Sequence, residues 1–119
     1  MTLESCYAHM DGDYADVLRR MGSEERVKRF LLKFTLDPSF GLLCDAMAAQ
    51  DAAAAFRAAH SLKGISANLG LAKLYRASDV LSEALRGASF DEKGNGPLFH
   101  DLETAYSDAC ALIRQACVQ

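Results

Sequence analysis

One stretch restricts the possible folds more than any other. Residues Ala52 to Leu69 contain six alanines in their first eight positions. Alanine loses no side-chain entropy in a helix, so the run predicts one. Asp51 supplies a cap before it and Gly70 a stop after it. Within the run, Ala55, Ala59, Leu62, Ser66 and Leu69 recur every three or four residues, which places them along one side. His60, Lys63, Gly64 and Ala67 recur at the same spacing on a different side. Side chains three and four apart are neighbours on a helix. An imidazole is therefore followed, one turn on, by an ammonium and by bare backbone. Gly64 costs about 1 kcal/mol of helix stability relative to alanine. In an alanine-rich run, that cost implies that something must come close to the backbone beside His60.

The remaining segments also carry helical periodicity. Residues 1–12 are poorly patterned and end in the turn signal Asp11-Gly12. Asp13 caps a short helix with Tyr14, Val17, Leu18 and Met21 on its apolar face, and Gly22 stops it. Ser23 caps the next, with Val27, Phe30, Leu31 and Phe34 inward and Glu24 and Glu25 at the positive end of its dipole. At Asp37-Pro38 either a new helix starts or one long helix kinks. Leu42, Leu43, Ala46 and Met47 continue the face, so 23–49 reads as one arm with a break near Pro38. After Gly70 comes a segment with Leu71, Leu74, Ala77, Leu81 and Leu85 inward, ended by Gly87. Residues 87–97 read as a loop, because Gly87, Gly94, Asn95 and Gly96 are turn formers. A last helix runs from about Pro97 to Ala116. Its inward residues are Phe99, Leu102, Tyr106, Ala109, Leu112, Ile113 and Ala116. Four long apolar-striped arms with mostly short connections predict an all-α fold, an antiparallel up-down four-helix bundle. The short N-terminal helix covers one end.

At 119 residues the chain is expected to be one domain, 1–119. Its net charge is −3, with no basic run, which speaks against nucleic-acid binding. The N-terminus lacks the basic and apolar regions of a signal peptide, and no apolar run approaches the ~18 residues of a membrane span. A cytoplasmic monomer is the expectation. Cys6, Cys44, Cys110 and Cys117 are then reduced, and without a Cys-x-x-Cys pair they do not suggest zinc. Gly94-Asn95-Gly96 lacks the strand and the lysine of a nucleotide loop, so ATP binding and self-phosphorylation are not expected. No acidic cluster suggests a Mg²⁺ site, and no metal or cofactor is expected on this chain. His9 and His100 have no setting that suggests a role.

A histidine with a lysine three residues on is a common surface pattern and by itself points nowhere. The whole stretch is more specific. Ala59-His60-Ser61-Leu62-Lys63-Gly64, four residues and then Leu69-Gly70 resemble the signature of the histidine-containing phosphotransfer (HPt) family of two-component phosphorelays. The Met21-Gly22-Ser23-Glu24-Glu25 start and Asp51 also fit, and the likeness extends from about Asp11 to the C-terminus. It implies a phosphocarrier and not a conventional enzyme. His60 would accept a phosphoryl group from a receiver-domain aspartate and pass it to another receiver. Lys63 would steady the added charge, while Gly64 and Ala67 leave clearance for the partner. Arg57, one turn before His60, is a candidate second cation. The implied partners are response-regulator receiver domains, a hybrid sensor kinase, or both, with Mg²⁺ carried by the receiver. The alternative is a helical docking module that binds such a partner without being phosphorylated. One departure stands out. The family often carries an acid directly after the leucine equivalent to Leu81, and here that residue is Ser82.

Overall fold

A computed structural model describes residues 1–87 and 89–118. Among these residues there are seven α-helices and no strand. They are α1 (Leu3–His9), α2 (Tyr14–Met21), α3 (Glu24–Thr35), α4 (Ser39–Ala48), α5 (Ala52–Leu69), α6 (Ala72–Leu85) and α7 (Glu92–Cys117). The expected caps are formed. Carboxylates of Asp13 and Asp51 accept from the Asp16 and Ala54 amides at 3.2 and 3.1 Å. The Ser23 hydroxyl accepts from the Arg26 amide at 3.2 Å. Each satisfies an amide that has no partner inside its helix.

Helix α5 packs against both α4 and α6, α6 also packs against α7, and α3 lies against α7 and α5. One hydrophobic cluster runs through the molecule from Leu3 to Ala116. Every member of the predicted α5 stripe is buried: Ala55, Ala59, Leu62, Ser66 and Leu69. Burying a leucine contributes roughly 1.5–3 kcal/mol, while the alanines let the flanking helices approach closely. Leu71 just before α6 and Leu74, Leu81 and Leu85 within it are buried, as are Leu102, Ala109, Ile113 and Ala116 of α7.

Three expectations need correction, and one open alternative is resolved. Residues 1–12 are patterned after all, because they hold α1, whose Leu3, Cys6, Tyr7 and the following Met10 are buried. With Tyr7 in the core, its hydroxyl donates to the Leu69 carbonyl at the end of α5 (2.7 Å). In the arm 23–49 the break near Pro38 is the start of a new helix and not a kink. Helix α3 ends at Thr35, and the Asp37 carboxylate accepts from the Ser39 amide (2.8 Å) to start α4. Leu42 is 59% exposed, since Leu43, Ala46 and Met47 form the buried side of α4. Finally, α7 starts at Glu92 and runs through Pro97. Two side chains cap its start: the Asp91 amide donates to Asn95 Oδ1 (2.8 Å), and Asp91 Oδ1 accepts from the Lys93 amide (3.2 Å). Pro97 lies in the second turn, where the only intrahelical bond it withholds is the one to the Lys93 carbonyl. Residue 88 of the expected loop lies outside the described residues.

Two glycines join the N-terminal helices to the end of α5. Gly70 has φ +71° and ends α5, and a Cβ there would sit 2.5 Å from Val17 Cγ2. At Gly12 a Cβ would sit 2.5 Å from the Gly70 carbonyl oxygen. The Arg20 guanidinium donates to the Asn68 carbonyl (2.9 Å), and the Lys73 amide donates to that of Met10 (3.3 Å).

Replacing Tyr7 by phenylalanine removes a buried donor while keeping the ring. Urea denaturation should show a loss of about 1–3 kcal/mol, and unchanged stability would contradict the role given to this bond. Burial pushes the Cys6 thiol up from 9.0 to about 11. The folded state therefore holds that proton more tightly than the unfolded one. The stability this contributes is complete below pH 9.0 and is lost as pH rises through about 11. Denaturation at pH 8 and pH 10.5 should differ in that direction.

Candidate functional site

The two sides of α5 follow from its place between α4 and α6. Once Ala55, Ala59, Leu62, Ser66 and Leu69 face the core, the helical repeat turns His60, Gly64 and Ala67 to solvent, and all three are exposed. Lys63 is on this side too, with its side chain 25% exposed. Gly64 is open: a Cβ built on it meets nothing within 4 Å. Ala67 lines a depression of about 400 Å³ together with Asp13, Asp16, Gly70 and Tyr75. The bare strip beside the imidazole therefore leads into a concavity bounded by α2 and α6.

The imidazole of His60 stacks on Phe56, one turn earlier, with ring centroids 5.7 Å apart and planes inclined at 27°. Phe56 is half-buried and supports the ring without covering it. The Arg86 guanidinium, at the end of α6, lies 5.0 Å from the Phe56 centroid, within cation–π range. Glu83 grips Arg86 through both carboxylate oxygens, at 2.9 and 3.2 Å. That contact pulls the Glu83 carboxyl below its ordinary range and raises the Arg86 guanidinium above its own.

Lys63 is already paired. Its Nζ lies 2.9 Å from Oδ1 of Asp79 on α6. The hydrogen bond to this carboxylate raises the ammonium above its ordinary range, so the positive charge is secure at any physiological pH. Ser82 stands where the family often has an acid. It is buried, its hydroxyl donates to the Asp79 carbonyl (3.0 Å), and the carboxylate comes from Asp79 one turn earlier. Arg57 is exposed one turn before His60. It lines a groove between α4 and α5 with Asp45, Asp51 and Ser61, whereas the arginine that shares an aromatic ring with His60 is Arg86.

Phe56, Asp79 and Arg86 are the site residues that the sequence reading missed. Phe56 was within reach, being four residues before His60. Asp79 and Arg86 are on another helix, and their proximity depends on the α5–α6 register. The other histidines have different settings. The Nδ1 of His9 is 2.8 Å from the Ser5 carbonyl, and that of His100 is 4.0 Å from Glu103. The described residues gather no group of three or more His, Cys, Asp or Glu side chains suited to a metal ion.

Because the space beside Gly64 is open, alanine there should stabilise the chain by up to about 1 kcal/mol, readable in a thermal or urea melt. A destabilised variant would show that the strip is not free.

Neither the curated proteins nor the solved structures gave a match to the chain. The family model of the Hpt domain matches residues 31–116, which include α4, α5 and α6 whole, the C-terminal part of α3 from Leu31 on, and all of α7 but Cys117. With well over half its length inside that match, the chain belongs to the Hpt domain family.

Proposed function

We propose that this chain is a phosphocarrier that accepts a phosphoryl group on His60 from a receiver-domain aspartyl phosphate and returns it to another receiver. Membership of the Hpt family supports a role in phosphorelay. The observation that carries the residue assignment is the exposed imidazole on α5, with a cation one turn on and open backbone beside it. A neutral ring nitrogen attacks phosphorus with its lone pair. The N–P bond forms as the aspartyl O–P bond breaks, and that electron pair returns to the carboxylate. The reverse step discharges His60 onto the next receiver.

Each neighbour has a part in this scheme. Lys63 offsets the negative charge placed on the ring. Gly64 and Ala67 leave room for the receiver to approach. Phe56 fixes the plane of the imidazole, and Arg86, over the same ring, joins Arg57 as a candidate second cation. Receiver domains and a hybrid sensor kinase are the partners in this reading, and Mg²⁺ belongs to the receiver. The arms α3–α4, α5, α6 and α7 form an antiparallel up-down four-helix bundle within one domain, with α1 and α2 at one end. The chain acts as a monomer in the cytoplasm. Among the described residues no helix is long and apolar enough to cross a membrane.

Incubation with a phosphorylated receiver should give acid-labile, base-stable label on the parent chain and none on His60→Gln. Gly64→Gln should fold normally yet take up label at least tenfold more slowly, because its side chain occupies the approach path. Label on His60→Gln would refute the assignment. Binding of the receiver without any label on the parent chain would favour a docking module instead.

A further inference from the structure

The cation one turn beyond the proposed acceptor is not free in the resting chain. Lys63 Nζ is 2.9 Å from Asp79 Oδ1, and neither side chain is deeply buried, at 25% and 39% exposed. Asp79 is fixed from behind, because its carbonyl accepts from the buried Ser82 hydroxyl and its helix packs along α5. A phosphoryl group on His60 would bring a second, larger negative charge within one helical turn of the same ammonium. The two anions then claim one cation. Whatever the ammonium gives to the phosphoryl is reduced by what it gives up with the carboxylate.

We propose that Asp79 is a positioning residue for Lys63: it holds the ammonium on the α6 side of the His60 strip and competes with the phosphoryl group for it. The competition weakens retention of the phosphoryl group and so keeps phosphorylated His60 a ready donor. The inference rests on the phosphocarrier reading. It adds that a residue outside the motif sets how strongly the group is held. Glu83 and Arg86, one and two turns beyond Asp79, are paired with each other, so Asp79 is the carboxylate in direct contact with Lys63.

The test uses phosphoramidate as donor, so no partner protein is needed. The imidazole lone pair forms the N–P bond, the P–N bond of the donor breaks, and ammonia leaves with that electron pair. The full chain, Asp79→Asn, Asp79→Glu, Lys63→Gln and the Lys63→Gln/Asp79→Asn double variant are brought to a steady ratio of phosphorylated to free chain in a fixed phosphoramidate–ammonium mixture. Phosphorus NMR reads the ratio. Asp79→Asn should raise it about two- to fivefold, the range expected for freeing one partly exposed ion pair. Asp79→Glu should restore the parent value, and 1 M salt should shrink the difference. In the Lys63→Gln background the same Asp79→Asn change should have little effect. An unchanged or lowered ratio in Asp79→Asn overturns the proposal. So does an equal rise without Lys63, since the carboxylate would then act on the phosphoryl group directly. Failure of the parent chain to be phosphorylated at all would overturn the phosphocarrier reading and this inference with it.

Discussion

The burial of one side of α5 is the constraint on which the rest depends. Ala55, Ala59 and Ser66 are small enough to bring α4 and α6 close, and Leu62 and Leu69 fill what remains. Neighbours on both flanks leave α5 a single strip facing water. The positions of His60, Gly64 and Ala67 on that strip follow from the 3.6-residue repeat. Rotating α5 to hide His60 would expose two leucines, at roughly 1.5–3 kcal/mol each. The exposure of the imidazole is therefore a consequence of the core and needs no local device.

The far end of α5 is held by the N-terminal helices. Helix ends leave carbonyls without partners inside the helix. Here the Leu69 carbonyl accepts from the Tyr7 hydroxyl and the Asn68 carbonyl from Arg20, while the Ser66 carbonyl accepts from the Leu71 amide. Gly12 and Gly70 lie so close that a side-chain carbon on Gly12 would overlap the Gly70 carbonyl. Helices α1 and α2 precede the segment that matches the family, yet they fix the end of the helix that carries its signature. They also form one wall of the concavity beyond Ala67.

Periodicity in the sequence was enough to read the α5 stripe, the caps at Asp13, Ser23 and Asp51, and the inward faces of α6 and α7. These features are local, and each is fixed by residues within a turn or two. Misreadings arose where a local signal competed with a tertiary one. The Gly94-Asn95-Gly96-Pro97 run has the composition of a loop, but the caps that the Asp91 and Asn95 side chains supply to the Lys93 and Asp91 amides make it the start of a helix. The first twelve residues looked unpatterned because α1 is only seven residues long, and its burial is decided by contacts with α7 and α2. At the site, the spacing within α5 made His60, Lys63 and Gly64 legible. The counter-ion of Lys63 and the second arginine come from α6, and spacing along one helix says nothing about which residues of the next lie opposite.

The central claim is that His60, unlike the other two histidines, is presented for chemistry. Long-range ¹H–¹⁵N spectra of the imidazole side chains, recorded before and after exposure to a phosphorylated receiver, address it directly. The account predicts that the His60 ring resonances move to new positions with resolvable coupling to phosphorus, while those of His9 and His100 stay in place. An unmoved His60 ring, or phosphorus coupling on either of the other two, would contradict it.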